Sequence, residues 1–145
     1  MPTIHVTTEC AAPVEQVFAY ISDYRTTPDW FYGVKSWEPL TEETRGVGAQ
    51  FEAAVHLGLT IRSTVELQEY VENELMVITS IAGFPNRSRW QFRSADAADA
   101  TTVDCEFSYD FPGGLAGKAM AKVVEPVVKI AVAHTTKEFA RRAVG

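Results

Sequence analysis

The side chains in this sequence that could do chemistry are a histidine, a tyrosine and a few serines set among apolar residues. On a helical projection at about 100° per residue, His134 falls on the apolar arc of the C-terminal stretch, in line with Val127 and Ala131. An imidazole facing a cavity there could hold a ligand carbonyl or move a proton near neutral pH. Glu138 shares the arc one turn on, where an ion pair with Arg141 or Arg142 at the rim is expected. Tyr109 projects to the apolar side of its strand, so its hydroxyl needs a partner, from the protein or from a ligand. Ser63 and Ser88 fall on the same apolar face by alternation, and Ser80 sits in a strand that is apolar on both faces at its centre. His134 and Tyr109 are therefore the candidate catalytic residues. Against each stands the plainer alternative of a core side chain bonded to protein.

Other arrangements that do chemistry are missing. His5, His56 and His134 are far apart, and the first two lie on polar strand faces, so no zinc triad and no metal site is expected. The run Gly113 to Lys118 (GGLAGK) lacks the spacing and parallel-sheet setting of a phosphate loop. Cys10 and Cys105 form neither a metal spacing nor a disulfide framework and have no basic neighbour, which reads as two reduced thiols of a cytoplasmic protein. No cofactor is expected. The net charge of −6 argues against nucleic acid or an anionic membrane as partner. No window approaches ~18 apolar residues, and no secretory signal opens the chain, so stable membrane insertion is not expected either.

The elements that must position these residues are legible from periodicity. Leu115 to about Ala143 reads as one helix of about 29 residues, or ~43 Å. Lys118, Lys122, Glu125, Lys129 and Thr136 fall on one arc, and Ala116, Met120, Val123, Val127 and Ala131 fall opposite. Pro126 removes a donor and crowds the carbonyl of Lys122, so a bend is expected there. Thr3 to Cys10 alternates as a strand, and Ala12-Pro13 opens a helix carrying Val14, Val17, Phe18 and Ile21 at helical spacing. Pro28-Asp29 starts a second short helix inside an aromatic stretch of Tyr24, Trp30, Phe31, Tyr32 and Trp37. Strands are then expected at Gly33 to Leu40, Ala49 to Leu57, Leu59 to Val71, Glu74 to Ile81, Asn86 to Ser94 and Thr101 to Phe111, with Gly58 as a hairpin turn. Ser88, Trp90 and Phe92 alternate with Arg87, Arg89, Gln91 and Arg93, and Val103, Cys105, Phe107, Tyr109 and Phe111 alternate with acidic residues. One apolar and one charged face per strand marks a one-sided antiparallel sheet. The arginines are expected to be solvated and paired across to Asp104, Glu106 and Asp110.

This order resembles the START-like superfamily, the helix-grip fold of lipid-transfer domains and the birch-pollen allergen, and within it the polyketide cyclase/dehydrase family. The resemblance spans nearly the whole chain and rests on AAPVEQVF (Ala11 to Phe18), SDYRTTPDW (Ser22 to Trp30), GVGAQF (Gly46 to Phe51), RWQF (Arg89 to Phe92), YDFPGG (Tyr109 to Gly114) and VEPV (Val124 to Val127). It implies an α+β fold in which a curved seven-stranded antiparallel sheet wraps a long C-terminal helix, with two short helices after the first strand. Residues 1–145 then form a single ligand-binding domain, and the space between sheet and helix holds a hydrophobic or amphipathic molecule of lipid, polyketide, isoprenoid or quinone type. The residues expected to line it are Trp30, Phe51, Val55, Ile61, Ser63, Ser88, Trp90 and Phe107 from the N-terminal helices and the sheet, and Met120, Val123, Val127 and Ala131 from the long helix.

Binding or transport is the leading expectation, by a monomer or weak homodimer whose partner is the small molecule. The alternative is a polyketide aromatase/cyclase or dehydratase using His134 or Tyr109. A third reading, a protein-interaction module, rests only on the cluster Trp30, Phe31 and Tyr32.

Overall fold

The computed structural model describes residues 3–56, 60–95, 99–110, 133–135, 137–138 and 140–143. Strand β1 (Thr3–Cys10) is followed by helix α1 (Val14–Ile21), a single 3-10 turn (Tyr24–Thr26) and the short helix α2 (Thr27–Trp30). Six strands follow: β2 (Val34–Pro39), β3 (Gln50–His56), β4 (Thr60–Val71), β5 (Leu75–Gly83), β6 (Asn86–Ser94) and β7 (Thr101–Tyr109). All seven form one antiparallel sheet in the order β1-β7-β6-β5-β4-β3-β2. Strands adjacent in sequence pair as hairpins, except that β1 and β2 stand at opposite edges. The helical segment between them must therefore cross the sheet, and it does so over the apolar face.

Period-two patterning explains the layers. In β6, Ser88, Trp90 and Phe92 are buried while Arg87, Gln91 and Arg93 are exposed. In β7, Thr101, Val103 and Tyr109 are buried and Glu106 is exposed. Irregularities in β4–β5 pairing fall between Thr64 and Val65 and between Leu67 and Glu69, and a third lies between Val34 and Ser36 in β2. Each extra residue bends its strand and increases local twist, which curls the sheet around its apolar side. The core gathers Val17, Phe18 and Ile21 of α1 with Phe92, Val103, Leu67 and Met76 of the sheet. Phe18 meets Phe92 and Tyr70 edge-on, at 5.0 and 5.5 Å between centroids. Thr101 Oγ1 donates to Ala12 O at 2.7 Å, tying the approach to α1 to β7.

On the outer face Arg93 pairs with Asp104, which also accepts from Thr7 Oγ1 at 2.5 Å and lies 3.7 Å from His5 Nε2. Arg89 stands opposite Glu106, but its guanidinium donates to Gln91 Oε1 at 3.1 Å. The Thr7 hydrogen bond, and then the Arg93 guanidinium, hold the Asp104 carboxyl below the usual carboxylate range. A carboxyl depressed in the folded state stabilises the fold above its unfolded pKa and loses that contribution as pH falls through the folded one. We expect Asp104→Asn to lower the urea midpoint at pH 7. The gap to wild type should then close as pH drops below about 4, the range in which an unfolded aspartate protonates.

The expectation for the long C-terminal helix lies mostly outside the described residues, as do Gly58, Pro126, Met120, Val123, Val127 and Ala131. Of its end, residues 133–135, 137–138 and 140–142 are helical.

Candidate functional site

Between α1–α2 and the middle of the concave face lies an apolar cleft of about 50 Å³ that opens to solvent. Its walls are Ile21, Ser22 and Tyr24 on one side, Thr27, Trp30 and Phe31 from α2 and its end, Trp37 and Phe51 from β2 and β3, Thr44 from the β2–β3 loop, and Leu67, Met76, Ile78, Ser88 and Trp90 as the floor. Local chemistry sets the position of the central ring. Asp23 caps the 3-10 turn by accepting from Arg25 N at 3.0 Å. Thr26 Oγ1 donates to Tyr20 O at 2.8 Å and accepts from Trp30 Nε1 at 3.1 Å. The indole of Trp30 is thus fixed through Thr26 to the last turn of α1. It meets Trp90 edge-on at 5.5 Å, with 81° between the ring planes. Phe51 packs against Trp37 at 6.0 Å and Tyr24 at 5.8 Å, and Trp37 stacks on Phe31 at 6.3 Å. Every tryptophan of the chain, Trp30, Trp37 and Trp90, lines this one cleft.

Among the described residues no carboxylate, lysine, arginine or histidine lines the cleft. The polar side-chain groups of these residues are hydroxyls and indole N–H groups, and two of the hydroxyls matter. Ser88 is 7% exposed and Thr27 is 5% exposed. Neither hydroxyl makes a hydrogen bond to a described residue. Among the described residues no fully buried side-chain polar atom is left without a partner, so both hydroxyls reach the open space of the cleft. An apolar enclosure with a few unspent hydroxyls binds an uncharged body and orients one oxygen on it.

Of the residues expected from sequence, the structure brings Trp30, Phe51, Ser88 and Trp90 together here. Val55, Ile61, Ser63, Phe107 and Tyr109 lie nearer the other ends of the strands. Val55 and Ile61 are cross-strand partners, and Ser63 Oγ accepts from Asn86 Nδ2 at 3.4 Å. Asn86 pairs with Tyr109, whose ring stacks on Phe84 at 6.5 Å and Phe107 at 5.9 Å. Ser80 Oγ accepts from Asn86 N at 2.9 Å, so this group closes the β5–β6 hairpin.

The inward placement expected for His134 is corrected. His134 is exposed, edge-on to the ring of Tyr32 at 5.1 Å. The buried residue is its neighbour Thr135, whose Oγ1 accepts from Tyr32 N at 2.9 Å. The inner face of these last turns runs through Thr135 and Ala143, one residue and about 100° from the arc projected from the sequence. Glu138 holds the expected rim position, accepting from Arg141 at 2.9 Å and Arg142 at 3.2 Å.

Periodicity missed Met76, Ile78, Leu67 and Thr27 as lining residues. Met76, Val77 and Ile78 are all apolar, so alternation could not choose a face, and Thr27 lies in a helix of four residues. Burial pushes the Cys10 thiol up to about 11 and the Cys105 thiol up to about 12, so neither supplies a thiolate at neutral pH. Among the described residues no cluster of histidine, cysteine and carboxylate could hold a metal ion, and no helix is long and apolar enough to cross a membrane.

The architecture recurs in solved structures. A Thermus thermophilus protein superposes with a TM-score of 0.82 at 20% identity, over 99% of this chain and 97% of that one. A START superfamily protein from Mycobacterium smegmatis gives 0.74 at 18% identity, over 97% and 96%. An aromatase/cyclase from a Streptomyces species gives 0.78 at 15% identity, over 98% and 93%. At such identities the likeness shows the fold, an α+β helix-grip, and not the activity. No curated protein matches the sequence. The model of one family, described as polyketide cyclase/dehydrase and lipid transport, matches residues 1–144. With its curled sheet, the helices crossing its concave face and a match along nearly its whole length, this chain belongs to the polyketide cyclase/dehydrase and lipid transport family.

Proposed function

We propose that the protein binds and carries a hydrophobic or amphipathic small molecule of lipid, polyketide, isoprenoid or quinone type. The observation that supports this most is the cleft walled by Trp30, Trp37, Phe51 and Trp90, with the hydroxyls of Ser88 and Thr27 turned into it. Apolar contact supplies affinity at ~25 cal/mol per Å² buried, and a hydroxyl selects an oxygen-bearing group. At about 50 Å³ the cleft is smaller than the ~150 Å³ that holds a benzene ring. A ring-sized ligand therefore widens it, and the half-buried rings of Tyr24, Phe31 and Trp37 are the ones free to turn.

Extraction of the purified protein followed by mass spectrometry should recover an apolar compound bearing an oxygen. Ser88→Ala should bind that compound about 2- to 12-fold more weakly, the worth of one hydrogen bond. The same variant should unfold at the wild-type urea concentration, because its hydroxyl has no partner among the described residues to lose. Protein that carries no compound and takes up none from a panel of apolar molecules would defeat the proposal.

A second reading, aromatase/cyclase or dehydratase chemistry on the bound molecule, draws on the Streptomyces enzyme among the structural neighbours. Neither Tyr109 nor His134 lines the cleft, so each would have to meet substrate outside it.

A further inference from the structure

Among the described residues the cleft lining carries no charge, but its lip carries one. Arg45 follows Thr44, which lines the cleft, and its Nη2 donates to Ala19 O at 3.1 Å, in the last turn of α1. Ile21 and Ser22, just beyond that carbonyl, form the facing wall. A helix-terminal carbonyl needs a donor and lies at the negative end of the helix dipole, so one hydrogen bond holds the arginine in place. Among the described residues the rest of the guanidinium makes no further hydrogen bond, and no carboxylate lies within ion-pair distance of it. The Asp23 carboxylate feels the Arg45 charge at longer range, but spends both oxygens on Arg25 at 3.0 and 2.8 Å. Glu42 and Glu43 are exposed on the same loop and pair with no arginine there.

The loop is built to keep Arg45 where it is. Leu40 N donates to Gln50 O at 2.8 Å and Gly48 N to Leu67 O at 2.9 Å, which pins both ends. Gly46 and Gly48, at φ +96° and +95°, reverse the chain directly after Arg45, a conformation that residues with a Cβ rarely adopt. The result is an arginine with free donors at the mouth of an uncharged apolar cleft, in a chain of net charge −6.

We propose that Arg45 takes the anionic head group of an amphipathic ligand, a carboxylate, sulfonate or phosphate, while the ligand's apolar body lies in the cleft. This rests on the cleft being the binding site and adds the class of ligand it prefers. A planar guanidinium with free donors suits such oxyanions, and an uncharged interior cannot host them, so the charge stays at the lip.

Two probes with one ring skeleton separate the roles: 8-anilinonaphthalene-1-sulfonate, which is anionic, and N-phenyl-1-naphthylamine, which is neutral. Binding is read from quenching of the cleft tryptophans. Arg45→Ala should weaken the sulfonate about tenfold and the neutral probe less than about twofold, with Arg45→Lys between. The tenfold gap should shrink between about 0.05 and 0.5 M salt, as screening of an exposed charge requires. Equal losses for both probes, or an unchanged sulfonate affinity in Arg45→Ala, would overturn the role of Arg45 and leave the cleft standing. Failure of both probes to bind wild type would overturn the cleft reading and the head-group site with it.

Discussion

Trp30→Ala is expected to cost about 3–5 kcal/mol of stability, read as a shift in the urea midpoint with the slope unchanged. Trp30 is 4% exposed and touches both the short helices and the sheet. It meets Trp90 edge-on, packs on Phe31 at 5.7 Å and gives its indole proton to Thr26. Truncation removes those contacts and leaves a void that joins the cleft. It also strips the Thr26 hydroxyl of a partner at the junction of α1 and the 3-10 turn. A small domain has about 5–15 kcal/mol in hand, so the variant should lie near the edge of folding. Trp30→Phe keeps most of the ring volume and loses the donor, and should recover more than half of the deficit. Equal losses for the two variants would mean that the hydrogen bond, and not the packing, holds the helices to the sheet.

Gly83→Ala should be comparably damaging for a different reason. Gly83 has φ +79°, and a Cβ built on it would stand 2.5 Å from Arg62 O and 3.0 Å from Ser63 Cα. Both obstacles are backbone of β4, and Arg62 O is also the acceptor for Phe84 N at 3.0 Å. The clash therefore cannot be relieved by turning a side chain, and the end of the β4–β5 ladder must open. We expect a loss of about 3 kcal/mol or more, in the range of severe backbone effects. Gly46→Ala is the control. It has φ +96° but nothing within 4 Å of the added atom, so only the conformational penalty of about 1–2 kcal/mol applies. Urea unfolding of the two variants side by side should separate steric from torsional cost.

The sheet was legible because its faces differ in chemistry. Arg89 and Gln91 between Ser88, Trp90 and Phe92 leave no choice of which side of β6 is inside, and the strand ends fall within a residue or two of where alternation stops. Legibility failed where that contrast vanished. Met76, Val77 and Ile78 present apolar groups to both faces, and Val77 is in fact 1% exposed although it alternates out of phase with the cleft-lining Met76 and Ile78. It failed again at the irregularity after Leu67. Strict alternation there would bring Glu69 inward, but the extra residue turns Tyr70 onto Phe18 instead. His134 shows the same weakness in a helix, where a phase error of one residue exchanges a buried position for an exposed one. The aromatic stretch from Tyr24 to Trp37 was visible as a wall in search of a pocket. The lip arginine was not, because its meaning depends on a carbonyl 26 residues away in sequence.

The pairing of β1 with β7 has a consequence for biosynthesis. Thr3 lies opposite Ser108 and Cys10 opposite Thr101, so β1 pairs with a strand that is made roughly 100 residues later. At about 5–20 residues per second, roughly 5–20 s pass while that ribbon waits unpaired. The hairpins from β2 to β7 can zip in turn as they emerge from the ribosome. Closure of β1 on β7 is the long-range step, and it sets how long the nascent sheet stays exposed to misassociation.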